Sequence, residues 1–458
     1  MNRIARRSLV VVIFAALLVS GLGFFVAEYF TNAGKWIVTN GSPHVYQGGN
    51  IGTGTVVDRD GALLLDMTGN RTYSPNLTYR MSTMHWLGDR LGFISAPALP
   101  HYAKEMAGFN TLDGMYSYTG SGGRAELTIS GKLQSVALEA LGEYKGTVAV
   151  YNYKTGQILC AVTSPTYDPD NVPDISGDTT GAYEGVYLNR FTQSVYIPGS
   201  IFKIVTLAAA LEADPQIRQQ TFQCNGIMEF GIDKVTCERA HGRLTLQSAM
   251  TRSCNCAFAQ IALKLGAEKL HDYVQKFQLT QRLTFDGITT AAGTFDVLGE
   301  ADVEVAWSAI GQHHDQMNPA RFLTFLGAVA GGGKGALPHL VEKITVDGAM
   351  TYQAETTYTD YYMSEETAAL LAEFMRNNVL NNYGAENFPG LTVCAKTGTS
   401  QLGGDKTSNA MFAGFVTDEE YPLAFFVAVE GGGYGKTQGV PIMSKVLAAC
   451  KEMMDTAP

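Results

Sequence analysis

The feature that most constrains this chain is an uncharged apolar run near its N-terminus. The run covers residues 8–27, SLVVVIFAALLVSGLGFFVA, and follows Arg3, Arg6 and Arg7. About twenty apolar residues match the hydrocarbon thickness of a bilayer, and arginines on one side only predict that this side stays in the cytoplasm. A cleaved signal peptide is the alternative, but its apolar region is usually only about 7–15 residues long. We therefore predict a cytoplasmic tail over 1–7 and a retained transmembrane anchor over 8–30.

The rest of the chain has the composition of an ordinary globular protein. Its 46% hydrophobic and 17% charged residues argue against disorder. A formal net charge of -10 offers no basic surface for nucleic acid, so we expect no nucleic-acid partner. Seven cysteines in a chain of this length are too few for a disulfide scaffold. We predict a smaller membrane-proximal domain over 31–125 and a larger domain over 126–458.

The larger domain shows both strand and helix patterns. The runs GTVAVYN and QILCAVTS flank a glycine turn and predict a hairpin. LTVCAKTGTS, MFAGFV and LAFFVAV predict three further antiparallel strands, and SKVLAACKEMM predicts a final helix. The middle of the domain is predicted to be largely helical, including the apolar run Ile204–Leu211. This order favours an α/β fold built on one antiparallel sheet.

Ser200-Ile201-Phe202-Lys203 at a predicted helix start forms an S-x-x-K motif. Residues three apart share a helical face, so the Lys203 amine can reach the Ser200 hydroxyl. A serine hydroxyl becomes a useful nucleophile when a neighbouring base takes its proton. Lysine serves as that base when burial or a nearby cation lowers its pKa. Alone, the motif also fits a helix-capping serine followed by a surface lysine.

Two further motifs follow in the chain. In Ser253-Cys254-Asn255, residues two apart can face one cleft while Cys254 faces elsewhere. Lys396-Thr397-Gly398-Thr399 ends a predicted strand, where glycine lets a ligand lie against the backbone. Lys396 supplies a cation for an anionic substrate group and favours a neutral Lys203.

S-x-x-K, S-x-N and K-T-G in this order are the motif set of penicillin-interacting serine enzymes. The chain resembles the class B penicillin-binding proteins, which are membrane-anchored peptidoglycan D,D-transpeptidases. The resemblance extends over LTISGKLQSVALEALGEYKGTVAVYNYKTGQILCAVTSPTYDPD, YIPGSIFK and AIGQHHDQMNPARFLTFLGAVAGGG, although the double histidine in the last departs from the usual glycine-rich residues. It implies the transpeptidase fold, an antiparallel five-stranded sheet flanked by helices and joined by a helical subdomain.

The resemblance also implies a role for each motif residue. Ser200 would attack the carbonyl between two D-alanines of a stem peptide, with Lys203 as base. Backbone N–H groups of Ser200 and Thr399 would form the oxyanion hole. Ser253 and Asn255 would pass the proton to the leaving amine and orient the donor. Lys396, Thr397 and Thr399 would hold the substrate carboxylate, and Gly398 would complete the substrate-binding set by letting the substrate lie close to the strand.

The implied partners are peptidoglycan stem peptides, β-lactams, the membrane and a glycan polymerase of the shape, elongation, division and sporulation (SEDS) family. A D,D-carboxypeptidase or a membrane-bound serine β-lactamase would share the motifs, although we find no convincing counterpart of the class A β-lactamase glutamate loop. A non-enzymatic sensor or scaffold is the third alternative, but it would have no need of Lys203 or Lys396. No cofactor is expected for the chemistry.

Cys224, Cys237, His241 and Cys254 follow the spacing C-x12-C-x3-H-x12-C. Three thiolates and an imidazole make a complete tetrahedral zinc set. The resemblance adds that some class B elongation enzymes hold zinc beside the active site, with ligands that match His241 and Cys254. Carboxylates stand there near the positions of Cys224 and Cys237. A Cys224–Cys237 disulfide or free buried thiols are the alternatives.

Overall fold

A computed structural model describes residues 2–39, 42, 45–47, 50–112, 114, 116, 117, 119–401, 403 and 407–456 of the chain. Met1, the first residue of the predicted tail, therefore lies outside the described residues.

The α-helices are α1 Asn2–Trp36, α2 Leu77–Leu87, α3 Ala103–Ala107, α4 Gly131–Leu141, α5 Arg190–Gln193, α6 Lys203–Ala213, α7 Leu246–Thr251, α8 Asn255–Leu265, α9 Ala267–Lys276, α10 Asp302–Ser308, α11 Pro319–Ala330, α12 Glu365–Asn378 and α13 Gly435–Asp455. The strands are β1 Tyr46–Gln47, β2 Asn50–Ile51, β3 Thr55–Val57, β4 Leu63–Asp66, β5 Thr72–Tyr73, β6 Gly123–Leu127, β7 Gly146–Asn152, β8 Ile158–Ser164, β9 Thr221–Cys224, β10 Ile227–Phe230, β11 Asp233–Thr236, β12 Gly242–Thr245, β13 Thr284–Phe285, β14 Ile288–Thr289, β15 Val341–Val346, β16 Ala349–Gln353, β17 Val393–Ser400, β18 Asn409–Val416 and β19 Leu423–Val429.

The apolar N-terminal run lies within α1, a helix long and apolar enough to cross a membrane. The helix continues to Trp36, beyond the predicted anchor of 8–30, because no proline follows the apolar run and the single glycine there, Gly34, is too weak a helix breaker to end it. Ala33, close to its C-terminal end, is buried. The last turns of α1 therefore pack against the rest of the protein.

The predicted antiparallel sheet has five strands in the order β17-β18-β19-β7-β8. Both of its faces are covered, so every residue of β18 and β19 is buried. Alternate residues point to opposite faces. Val148 and Phe412 pack on the side of α4 and α13, whereas Tyr151 and Phe426 face α11. The expected five-stranded architecture is confirmed.

Gly327 lets α11 lie close to this sheet. A Cβ atom on Gly327 would stand 1.6 Å from the Tyr151 hydroxyl oxygen, a distance at which the atoms collide. The helix can keep its place only with glycine at this position.

A second sheet has six strands in the order β16-β15-β6-β3-β4-β5. Strand β6 lies parallel to β3 and antiparallel to β15. The predicted boundary between 31–125 and 126–458 falls inside β6, and β15 and β16 return to this sheet from far along the chain. The sequence pattern did not predict these pairings, because pairing between distant segments leaves no local signal.

Candidate functional site

Ser200 and Lys203 lie where a tight turn becomes a helix. Residues Gly199–Phe202 form a 3-10 turn, and α6 begins at Lys203. Gly199 has a positive φ of 54°, and a Cβ there would stand 2.5 Å from the carbonyl oxygen of Thr399. The glycine therefore lets the nucleophile turn approach β17. Lys203 Nζ lies 3.0 Å from Ser200 Oγ.

Ser253 and Asn255 meet the same amine from the opposite side. Lys203 Nζ lies 3.1 Å from Ser253 Oγ and 2.6 Å from Asn255 Oδ1. The Asn255 amide nitrogen donates to Thr236 O at 2.7 Å, which turns its oxygen toward Lys203. Ser253 has a positive φ of 49°, unusual for a residue with a side chain. Backbone strain of this kind is concentrated at functional sites.

Lys396 completes the group. Its Nζ donates to Ser253 Oγ at 2.9 Å and to Thr397 O at 3.0 Å. Both lysines are buried. Burial lowers the pKa of Lys203 to about 8, and burial together with the Lys203 charge holds the pKa of Lys396 well below its usual value. Lys203 is thus partly neutral near neutral pH, as a proton acceptor requires.

The edge of β17 that faces away from β18 is capped by side chains of α12 and the turn after it. Arg376 Nη1 donates to Val393 O at 3.1 Å, and Asn378 Nδ2 donates to Ala395 O at 2.9 Å. Tyr383, in a π-helical turn over Val379–Tyr383, accepts from the N–H of Thr397 at 3.0 Å. We call Arg376, Asn378 and Tyr383 the edge brace.

The edge brace ends where the oxyanion hole is expected. The outward groups of β17 belong to alternate residues, so the N–H of Thr399 points the same way as that of Thr397. Gln312 Nε2 lies 3.5 Å from Thr399 O. The residue before it, Gly311, accepts the N–H of Gly199 with its carbonyl oxygen. The backbone of Thr399 therefore faces the Ser200 turn.

Sequence reasoning missed Tyr383 because it belongs to none of the three motifs. Its hydroxyl also lies 3.0 Å from Thr397 Oγ1, and its side chain is buried. A π-helical turn is rare and frequently marks a functional site, but its sequence, VLNNY, contains no signal that would predict it.

Behind the catalytic group, Cys224, Cys237, His241 and Cys254 converge. Their ligand atoms all lie within 4.8 Å of one another. Cys254 Sγ lies 3.6 Å from Cys237 Sγ, and Cys224 Sγ lies 3.6 Å from His241 Nδ1. A tetrahedral zinc with bonds of about 2.3 Å separates its ligands by about 3.8 Å, so the donor set fits this ion. All seven cysteines are free thiols, so no disulfide joins Cys224 to Cys237.

A cleft of about 650 Å³ opens beside Ser253, Lys396 and Thr397. Its walls come from the loop before β12, from α7 and from the end of α12 with the turn that follows. The remaining lining residues are Glu238, Arg239, His241, Thr245, Gln247, Ser248, Thr251, Arg252, Asn377, Asn381, Asn382, Tyr383 and Lys436.

The family model described as the penicillin binding protein transpeptidase domain matches residues 146–448, from the start of β7 to the body of α13. The match covers well over half of the chain. The chain belongs to the penicillin-binding protein transpeptidase family. It is a transpeptidase of this family, and its five-stranded sheet and the three motifs all lie within the matched range.

Known proteins support the assignment. The peptidoglycan D,D-transpeptidase PbpA of Mycolicibacterium smegmatis is 28% identical over 341 residues, which cover 68% of each chain. A D,D-transpeptidase domain from Eggerthella lenta has a TM-score of 0.77 at 24% identity and covers 88% of this chain and 99% of its own. Penicillin-binding protein A of M. tuberculosis, solved as a ceftriaxone acyl-enzyme complex, has a TM-score of 0.74 at 24% identity, with coverages of 87% and 98%. The expected fold and family are confirmed.

Proposed function

We propose that this protein cross-links peptidoglycan through an acyl-enzyme on Ser200, formed with the D-Ala-D-Ala end of a stem peptide. The observation that supports the proposal most strongly is the meeting of the three motifs around one buried amine. Ser200, Ser253 and Asn255 all lie within 3.1 Å of Lys203 Nζ. No other side chain is needed to activate the serine.

In the acylation step, Lys203 takes the proton of Ser200 Oγ as that oxygen attacks the carbonyl carbon. The N–H groups of Ser200 and Thr399 stabilise the negative charge that develops on the carbonyl oxygen. The proton passes from Lys203 through Ser253 to the leaving amine, because Ser253 Oγ lies within hydrogen-bond distance of Lys203. Free D-alanine departs and an ester on Ser200 remains.

Binding of the donor uses the edge of β17. The substrate carboxylate meets Lys396, Thr397 and Thr399, while Gly398 lets the peptide lie close to the strand. The Asn255 side chain orients the donor. A second stem peptide then supplies the amine that takes the acyl group. A β-lactam imitates the D-Ala-D-Ala terminus, so it acylates Ser200 in the same way.

Covalent labelling with a fluorescent penicillin tests this proposal. The unaltered chain is expected to be labelled, and Ser200→Ala to lose the label completely while keeping its fold by circular dichroism. Ser135→Ala is the matched control, since the Ser135 hydroxyl donates only to a backbone carbonyl of its own helix. Persistent labelling of Ser200→Ala would overturn the assignment of the nucleophile. Products formed from lipid-linked substrate then separate cross-linking from simple removal of D-alanine.

We also propose that α1 anchors the protein with its N-terminus in the cytoplasm and the catalytic domain outside. The three arginines before the apolar run support this orientation. A SEDS-type glycan polymerase as partner rests on the family resemblance, since a transpeptidase needs newly made glycan strands to join. Protease protection of an N-terminal tag in sealed membrane vesicles tests the orientation, and digestion from the outer side would contradict it.

For the Cys/His cluster, we propose a structural zinc held by Cys224, Cys237, His241 and Cys254. The thiolate-rich donor set and its near-tetrahedral spacing support it. Four protein ligands make a closed site, and closed zinc sites stabilise a fold. The ion would tether Cys254 and so hold Ser253 and Asn255 on either side of it.

Metal analysis of anaerobically purified protein tests the zinc proposal. We expect one zinc per chain, and loss of that zinc in Cys237→Ser. Cys160→Ser is the control, because Cys160 is buried in β8, away from the cluster. Absence of metal together with three reactive thiols in this cluster would refute the proposal.

A further inference from the structure

The cleft beside Ser253 carries positive charge that the catalytic motifs do not require. Arg239, Arg252 and Lys436 line it, against one acidic side chain, Glu238. Among the residues that the structure describes, none forms an ion pair or side-chain hydrogen bond with any of these three cations. The whole chain has a formal net charge of -10, so the charge of this basic cleft is opposite in sign to the net charge of the protein.

The position of this basic cleft relates it to the second half of the reaction, in which the acceptor amine attacks the acyl-enzyme. It contacts Ser253, Lys396 and Thr397, which on the proposed function receive the leaving D-alanine: Ser253 protonates its amine and the other two hold its carboxylate. The amine that later attacks the acyl-enzyme must approach the same carbonyl along the path by which the first amine left. The basic cleft therefore lies where the acceptor strand arrives.

We propose that the basic cleft is the acceptor subsite, and that Arg239 and Arg252 select acceptors that carry a carboxylate beyond the one next to the reacting amine. This inference rests on the proposed function and adds the chemistry of the second substrate. A groove lined by one sign of charge concentrates ligands of the opposite sign. Guanidinium groups suit a carboxylate, because their N–H groups match both of its oxygens.

The acceptor step uses only the groups of the catalytic centre. The acceptor nitrogen attacks the ester carbonyl, a C–N bond forms and the bond from carbon to Ser200 Oγ breaks. The amine proton passes through Ser253 and Lys203 to Ser200 Oγ, which regenerates the hydroxyl. Arg239 and Arg252 form no bond in this step. They raise the share of acyl-enzyme that reacts with the acceptor instead of water.

The test measures how an acyl-enzyme divides between acceptor and water. The full-length protein in detergent is acylated with an N-benzoyl-D-alanyl thiolester in the presence of D-glutamate or D-glutamine, at equal concentrations of free amine. These acceptors share the amine and the adjacent carboxylate and differ in the distal charge. A longer pair, D-2-aminopimelate and its 7-amide, extends the reach. The ratio of aminolysis to hydrolysis is independent of how fast acylation occurs.

We expect the charged acceptor of at least one pair to give a ratio up to about fivefold higher, the effect of one exposed ion pair of at most about 1 kcal/mol. Arg239→Gln/Arg252→Gln should reduce this preference below about twofold. Arg243→Gln is the matched control and should keep it, because Arg243 lies in β12, close to Arg239 in the chain, but outside the cleft. Salt should weaken the preference by screening exposed charges.

Two outcomes separate failure of this inference from failure of the proposed function. If the thiolester forms no acyl-enzyme on Ser200, the proposed function fails. If the acyl-enzyme forms but both acceptor pairs react alike, or if the preference survives in Arg239→Gln/Arg252→Gln, the acceptor subsite is refuted while the transpeptidase chemistry stands.

Discussion

Removal of one hydroxyl, in Tyr383→Phe, is expected to weaken both the fold and the reaction. The Tyr383 oxygen accepts the Thr397 N–H at 3.0 Å and lies 3.0 Å from Thr397 Oγ1. Burial raises the pKa of Tyr383, so the hydroxyl stays protonated at neutral pH. Phenylalanine fills the same space and leaves the N–H of the half-buried Thr397 without its protein acceptor.

The size of the effect follows from that unpaired group. A buried N–H that loses its acceptor costs about 1–3 kcal/mol, so the free energy of unfolding should fall by about this amount. Thr397 stands next to Lys396 and is proposed to hold the substrate carboxylate. Acylation requires β17 to stay in place, so part of the free energy lost with the hydrogen bond should also raise the barrier to acylation. At about 1.4 kcal/mol per factor of ten, we expect fluorescent penicillin to acylate Tyr383→Phe about tenfold more slowly.

Tyr151→Phe is the matched control, because it also removes one buried phenol oxygen. Within the described part of the chain, the Tyr151 hydroxyl has no hydrogen-bond partner, so its loss should leave stability unchanged or raise it. Urea unfolding followed by intrinsic fluorescence, together with the second-order rate of penicillin acylation, measures both effects. Equal stability and equal acylation rates in the two variants would refute the edge brace as the support of Thr397.

Two further predictions concern the amine at the centre of the site and the helix behind the sheet. Lys203 acts as a base only when neutral and its pKa is lowered to about 8, so the acylation rate should rise about tenfold per pH unit below that value and level off above it; a flat profile between about pH 6.5 and 9 would contradict this role. Gly327→Ala should lower the midpoint of thermal unfolding, because its Cβ would stand 1.6 Å from the Tyr151 oxygen. Gly327→Ala/Tyr151→Phe should recover part of the loss, and no recovery would locate the strain elsewhere.

The catalytic group could be predicted because each motif is short and its spacing follows from local backbone geometry. Ser200 and Lys203 are three residues apart, and Ser253 and Asn255 are two apart, so local geometry brings each pair to one face. The structure then joins the two pairs at Lys203 Nζ. The strands of the five-stranded sheet could be predicted equally well, since each is a continuous apolar run bounded by turns.

Features that depend on distant pairing could not be predicted in the same way. Tyr383 contributes to the site only because α12 lies along the edge of β17, and nothing in its own neighbourhood indicates that contact. Arg239 and Arg252 resemble any exposed arginines until the fold places them in one cleft with Lys396. Local sequence patterns predict helices and strands. The positions of Tyr383, Arg239 and Arg252 depend instead on which distant segments the fold brings together.

The six-stranded sheet also has a consequence for how the chain matures. Strand β6 cannot pair with β15 until the ribosome has made residues 128–340, which lie between them. This stretch includes Ser200 and Ser253. Until then one edge of β6 is exposed and able to pair wrongly. A chain interrupted before Val341 can never complete this sheet. The six-stranded sheet can therefore close only after both serines of the catalytic centre have emerged, while Lys396 and strands β17, β18 and β19 are still to be synthesised.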